Sequence, residues 1–130
     1  MLVLDASAVL EVLLRRPGSD NIQQRILKQR ETLHAPHLLD VEVAQVVRRY
    51  CLSGEMTESR ASQAISDLAD LPVTRYRHDL FLSRIWQLRH NVTAYDAAYL
   101  SLAEALEAPL VTCDARLAAA KGHAARVELM

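Results

Sequence analysis

The sequence predicts an α/β protein: a three-layer α/β/α arrangement around a central, mostly parallel sheet of four to five strands. Two observations carry this. Short apolar runs alternate with longer stretches of helical periodicity along the chain, the pattern of βαβ units. Acidic residues stand where apolar runs give way to helices: Asp5 follows Met1-Leu2-Val3-Leu4, Asp114 follows Leu110-Val111-Thr112-Cys113, and Glu42 and Asp96 fall in the first turns of two amphipathic runs. In an open parallel sheet, ligands bind outside the carboxyl ends of the strands. Right-handed crossovers bring helix starts to that same edge, so the four carboxylates are expected to converge on one crevice.

The elements follow in order. A first strand is expected from Leu2 to Asp5 and a helix near Ser7 to Leu14, stopped by Pro17-Gly18. A second helix runs from about Asp20 to Gln29, and Thr32 to Ala35 forms the next strand. Pro36 sets up a helix over Leu38 to Leu52 that ends at Gly54, and Thr57 caps another that Pro72 stops after Leu71. Val73 to Tyr76 reads as the third strand and His78 to His90 as a helix whose apolar positions suit one buried face. Thr93 and Asp96 have the spacing of a capping box for a helix ending near Leu106, although Asp replaces the usual Glu or Gln. Leu110 to Cys113 is the fourth strand, a short helix runs to about Lys121, and Arg126 to Leu129 is a fifth strand after the Gly122 turn.

With 130 residues, 51% of them hydrophobic, the chain is expected to form a single domain over residues 1–130, burying roughly two thirds of its unfolded surface in one core. Cys51 and Cys113 have no metal-ligand or disulfide spacing and read as reduced core thiols. Asp5 interrupts the apolar start after four residues, and no basic region precedes it, so neither signal peptide nor membrane span is expected and a cytoplasmic location is. A formal charge of −1 exerts no global pull on polyanions. Among the cations, only Lys28 and Lys121 are lysines; arginine forks suit phosphate, but base composition of a genome also enriches arginine.

Singly, each carboxylate has a structural explanation as an N-cap or a first-turn acid. Together they repel, and like charges at close range disfavour the ionised forms, so a cation is expected between them. Oxygen ligands without His or Cys select Mg²⁺ or Mn²⁺, and phosphodiester hydrolysis is the natural chemistry of such a site. Ser7 and Thr112 place hydroxyls beside Asp5 and Asp114, either to orient a carboxylate or as local backbone caps.

The order of Asp5, Glu42 in a helix after a proline, Thr93-Ala94-Tyr95-Asp96-Ala97-Ala98-Tyr99 opening a late helix, and Thr112-Cys113-Asp114 ending a strand resembles the PIN domain. More narrowly it resembles the VapC toxins of prokaryotic toxin–antitoxin systems. The resemblance implies a Mg²⁺- or Mn²⁺-dependent endoribonuclease, with Asp5, Glu42, Asp96 and Asp114 as its catalytic and metal-binding acidic quartet and RNA as its substrate. It also implies a cognate VapB-type antitoxin and a homodimer. Aliphatic residues in excess over Leu38 to Leu52 and Thr57 to Leu71, among them Val41, Val46 and Ile65, offer a groove or interface for such a partner. Asp40 and Asp79 are expected to cap helices or face solvent. Some of Arg15, Arg16, Arg48, Arg49, Arg75 and Arg77 are candidates to grip a nucleic acid backbone, and Tyr95 to stack on a base.

Two alternatives remain at this level. One is an inactive binding module on the same fold. The other is a phospho-acceptor receiver domain, which should carry two neighbouring acids after its first strand and a lysine ending its last; here Asp5 stands alone and Lys121 precedes the last strand.

Overall fold

Five short parallel strands run through the centre of the chain in a computed structural model that describes residues 1–130. The elements are β1 (Leu2–Leu4), α1 (Ala6–Leu13), α2 (Ser19–Lys28), β2 (Leu33–Pro36), α3 (Leu38–Leu52), α4 (Glu58–Asp70) and β3 (Val73–Tyr76). A 3₁₀ turn at Asp79–Phe81 leads into α5 (Leu82–Gln87), then α6 (Ala94–Leu106), β4 (Leu110–Thr112), α7 (Ala115–Ala118) and β5 (Val127–Leu129). Strand order is β3-β2-β1-β4-β5, with Leu2 beside Leu33, Val3 beside Leu110 and Leu4 beside Val111. The first-made strand is therefore central. A receiver-type doubly wound sheet has the order 2-1-3-4-5, so the topology overturns that alternative.

Alternation along the strands decides what each layer packs against. Leu2 and Leu4 join Val9, Leu39, Val43 and Leu68 in a core between the sheet and α1, α3 and α4, whereas Val3 and Leu110 join Tyr99, Leu100 and Leu102 of α6 on the opposite face. Each buried Leu of this kind contributes about 1.5–3 kcal/mol relative to exposure. The unbroken apolar character of β1 is what a strand buried on both faces requires.

Local chemistry sets the helix starts. Asp5 caps α1, Thr57 caps α4 by accepting from the Arg60 amide at 3.1 Å, and Thr93 caps α6 by accepting from the Asp96 amide at 3.2 Å. The helix expected over His78 to His90 is reduced to the 3₁₀ turn and the six residues of α5. Nor does it bury its apolar residues on one face. Phe81, Ile85 and Leu88, spaced i, i+4, i+7, pack inward, while Leu82 and Trp86 on the other side are 59% and 67% exposed.

The edge strand β5 is tied down by charge. Arg25 of α2 donates from Nε to Glu128 at 2.8 Å and from Nη1 to Glu31 at 3.1 Å, and Glu31 also pairs with the Met1 ammonium. On the other face Glu104 accepts from Arg84 at 2.8 and 2.9 Å and from the Ala124 amide at 2.8 Å, fixing the approach to β5. Both thiols are free and half-buried rather than fully in the core. No helix is long and apolar enough to cross a membrane. Shallow grooves of about 500 and 550 Å³ lie between α3 and α4, where Leu52 and Val41 are 70% and 69% exposed.

Candidate active site

All four acids lie at the carboxyl edge of the sheet. Asp5 immediately follows β1, Asp114 lies two residues past the end of β4, Asp96 is in the first turn of α6, and Glu42 is one turn into α3, slightly deeper than expected from sequence.

Asp5 is the most constrained. Its Oδ1 accepts from the Ser7 hydroxyl at 2.6 Å and the Ala8 amide at 2.9 Å, and its Oδ2 accepts from the Thr112 hydroxyl at 2.5 Å. Both hydroxyls are themselves acceptors, Ser7 from the Cys113 amide at 2.8 Å and Thr112 from the Asp114 amide at 2.9 Å. Ser7 and Thr112 thus do more than cap locally: they clamp the Asp5 carboxylate between β1 and β4 and link it to the backbone that carries Asp114. Asp114 accepts from the Arg116 amide at 2.8 Å, capping α7.

The acids influence one another electrostatically. Burial pushes the Asp5 carboxyl above its usual pKa and the Asp114 charge adds to this, against the opposing pull of the Ser7, Thr112 and Ala8 hydrogen bonds. Burial likewise raises Glu42, helped by Asp96 and Asp5, and raises Asp96, helped by Asp114 and Asp5, with Arg116 pulling the other way. Tyr99, buried beneath the site, has its phenol pushed strongly upward by burial and by Glu42. The two side chains feel each other, yet neither Glu42 Oε1 nor the Tyr99 hydroxyl completes a hydrogen bond of ordinary geometry.

No three His, Cys, Asp or Glu side chains are gathered into a ready-made metal cage. The donor set still fits a hard divalent cation. It is all oxygen, it includes a buried carboxylate oxygen without a partner, and Mg²⁺ needs only one or two carboxylates because it keeps several waters.

Two hollows flank the acids. On the Glu42 side, a groove of about 460 Å³ is lined by Ser7, Leu10, Leu38, Val46 and the exposed ring of Tyr95. On the Asp96 side lies a polar hollow that also contains Arg89 and Arg116, neither of which stood out in the sequence because neither belongs to an arginine pair. Arg75, by contrast, is engaged with Asp40 through bonds of 2.8 to 3.0 Å and with the Val73 and Leu68 carbonyls, so Asp40 is an ion-pair partner rather than a cap. Arg77 pairs with Asp79 at 2.8 Å, and Arg16 bonds the Tyr50 hydroxyl at 2.6 Å. Three of the six arginines suggested for backbone contact are thus held within the protein. His34 is buried between Thr32 and Tyr76, away from any catalytic arrangement.

Fold and site together define a parallel α/β protein with an acidic crevice at the carboxyl edge of its sheet. The model of the PIN domain family matches residues 2–122. Over 98% of its length the chain is 44% identical to ribonuclease VapC1 of Mycobacterium tuberculosis, covering 96% of that protein, and over 100% it is 39% identical to ribonuclease VapC12 of the same species, covering 99%. The crystal structure of VapBC2 from Rickettsia felis bound to a DNA fragment from their promoter superposes with a TM-score of 0.66 at 14% identity, covering 98% of this chain and 97% of that one. The chain belongs to the PIN domain family, and within it to the VapC ribonucleases of toxin–antitoxin systems.

Proposed function

We propose that this chain is a Mg²⁺- or Mn²⁺-dependent endoribonuclease, the toxin of a toxin–antitoxin pair, acting in the cytoplasm at Asp5, Glu42, Asp96 and Asp114. The observation that carries the reading is the mutual influence of these acids at one sheet edge: burial and neighbouring carboxylates raise Asp5, Glu42 and Asp96, a cost that a bound cation offsets. Near identity in length and 44% identity in sequence to a named ribonuclease supports RNA as substrate.

Within this site Asp5 and Asp96 would be the primary residues holding the ion, with Asp114 contributing directly or through water. A divalent ion held there would supply Lewis acidity toward a phosphoryl oxygen and lower the pKa of a bound water. The chain's own part is positioning. Ser7 from the start of α1 and Thr112 from the end of β4 hold both Asp5 oxygens in place, so the carboxylate does not have to be ordered when ligand arrives. Glu42, whose Oε1 is free of protein partners, completes the shell or accepts a proton from the attacking water.

A VapB-type antitoxin is the expected protein partner, as the VapBC2 assembly suggests, and the exposed aliphatic α3–α4 grooves are its docking surface; a homodimer is the expected state. The test is incubation of purified chain, freed of partner, with total RNA plus Mg²⁺ or Mn²⁺, alongside EDTA, Asp5→Asn and Asp96→Asn. Discrete cleavage absent from all three controls supports the reading. Identical RNA patterns for wild type and both variants with metal present overturn it.

A further inference from the structure

Beside Asp96 the surface opens into a hollow of about 540 Å³ whose walls include Arg89, His90, Asn91, Thr93 and Arg116. Several arginines are spent on carboxylates at close range: Arg25 on Glu128, Arg75 on Asp40 and Arg84 on Glu104. The two in this hollow are not. The Arg116 side chain is 95% exposed, and its one ion pair, Nε to Asp114 Oδ1, is a loose 3.9 Å. Arg89 has no acidic partner. Its guanidinium lies 4.8 Å over the ring of exposed Trp86, with Nη1 donating to the Trp86 carbonyl at 2.9 Å, which fixes the plane of the fork and leaves its other donors free.

Two uncommitted guanidinium groups beside an acidic crevice make poor sense as fold stabilisation, because exposed ion pairs contribute little. They suit a ligand that is anionic where it leaves the carboxylates. A phosphodiester chain is such a ligand, since each fork matches a phosphate bidentately. Asp96, on the shared wall, repels an anion placed against it, so the phosphate held by the arginines is one that flanks the position of cleavage.

We propose that Arg89 and Arg116 form a subsite for a backbone phosphate of single-stranded RNA leaving the acidic crevice past Asp96, with the Asn91 amide as a neutral donor. This rests on the ribonuclease reading for its biological meaning but is measured independently of cleavage. Phosphate contacts position a nucleic acid without reading its sequence, so the subsite governs affinity and register, not target choice.

The experiment is fluorescence anisotropy of a labelled single-stranded RNA oligonucleotide across a salt series in EDTA, for wild type, Arg89→Ala, Arg116→Ala, the double variant, and Lys28→Ala at the end of α2 as a control for lost charge. Each arginine variant is expected to flatten the dependence of log affinity on log salt by about 0.7, the value for one single-strand phosphate contact, and the double variant by about twice that. Arg→Lys at either position should keep the slope, which general damage to the fold would not. With Mg²⁺ or Mn²⁺ present, the alanine variants should raise KM with little change in kcat. Slopes equal to those of wild type or Lys28→Ala overturn the subsite. If wild type cleaves RNA and those slopes are unchanged, the subsite alone falls; if it does not cleave while the slopes shift as expected, the ribonuclease reading falls and the phosphate site stands.

Discussion

Replacing Thr112 by Val removes one hydroxyl and almost no volume. Thr112 is fully buried, donates to Asp5 and accepts from the Asp114 amide, so the substitution breaks two hydrogen bonds at the junction of β1 and β4. A bond to a charged group is worth about 1.5–3 kcal/mol, and the half-buried Asp114 amide left without a partner costs about 1 more. The expected loss is roughly 2.5–4 kcal/mol, a large part of the 5–15 kcal/mol typical of a domain. Urea denaturation at pH 7 in EDTA measures it directly. Thr112→Ser keeps the hydroxyl and gives up only a buried methyl, which costs about 1 kcal/mol. A Val variant within 0.5 kcal/mol of wild type, or a Ser variant as damaged as the Val one, would refute the clamp, since either result assigns the energy to packing rather than to the hydroxyl.

Three further outcomes are expected. Because Asp5, Glu42 and Asp96 have folded pKa values raised above those of the unfolded chain, their contribution to stability is greatest below the unfolded value and is lost as pH rises through the folded one. Asp96→Asn in EDTA should therefore gain over wild type at pH 7 and lose that advantage toward pH 4, while Mn²⁺ at a hundred times Kd adds about 2.7 kcal/mol to wild type only; thermal melts at both pH values show each effect. Glu104, held below its usual pKa by Arg84, has the opposite sign: Glu104→Ala should cost about 1.5–3 kcal/mol at pH 7, a penalty that fades as pH falls through the lowered folded value, as denaturation at pH 7 and pH 3 would show. Gly122 has φ of +84° and an added Cβ would meet the Asn91 side chain at 2.8 Å, so Gly122→Ala should lose about 1–2 kcal/mol in a thermal melt and displace Asn91.

Where local chemistry decides structure, the sequence was a sufficient guide. Thr57 and Thr93 start their helices as their spacing implies, α3 and β3 have the bounds their apolar patterns predict, and each of the four acids lies at the carboxyl edge. What could not be read is whatever depends on which strands become neighbours. Ser7 meets Cys113, and Thr112 meets Asp5, only because β4 pairs with β1, a relation between residues more than a hundred positions apart. The free arginines illustrate the same limit from another side. Paired arginines drew notice in the sequence, yet Arg75 and Arg77 are consumed by Asp40 and Asp79, and the solitary Arg89 and Arg116 are the ones left facing the site. Helix α5 failed for a different reason: its apolar residues belong to two faces, and only the one carrying Ile85 is covered.

The central place of β1 sets a timetable. Made before the other strands, Leu2–Leu4 can find β2 early, but the partner on its other side is β4, and the hydroxyl that holds the second oxygen of Asp5 belongs to Thr112, more than a hundred residues later. Until that late segment has been translated and seated, Asp5 keeps only its neighbours Ser7 and Ala8, and the carbon skeleton that carries Asp114 does not yet exist. A nascent chain of this topology holds an incomplete crevice until β4 has been made and has taken its place beside β1.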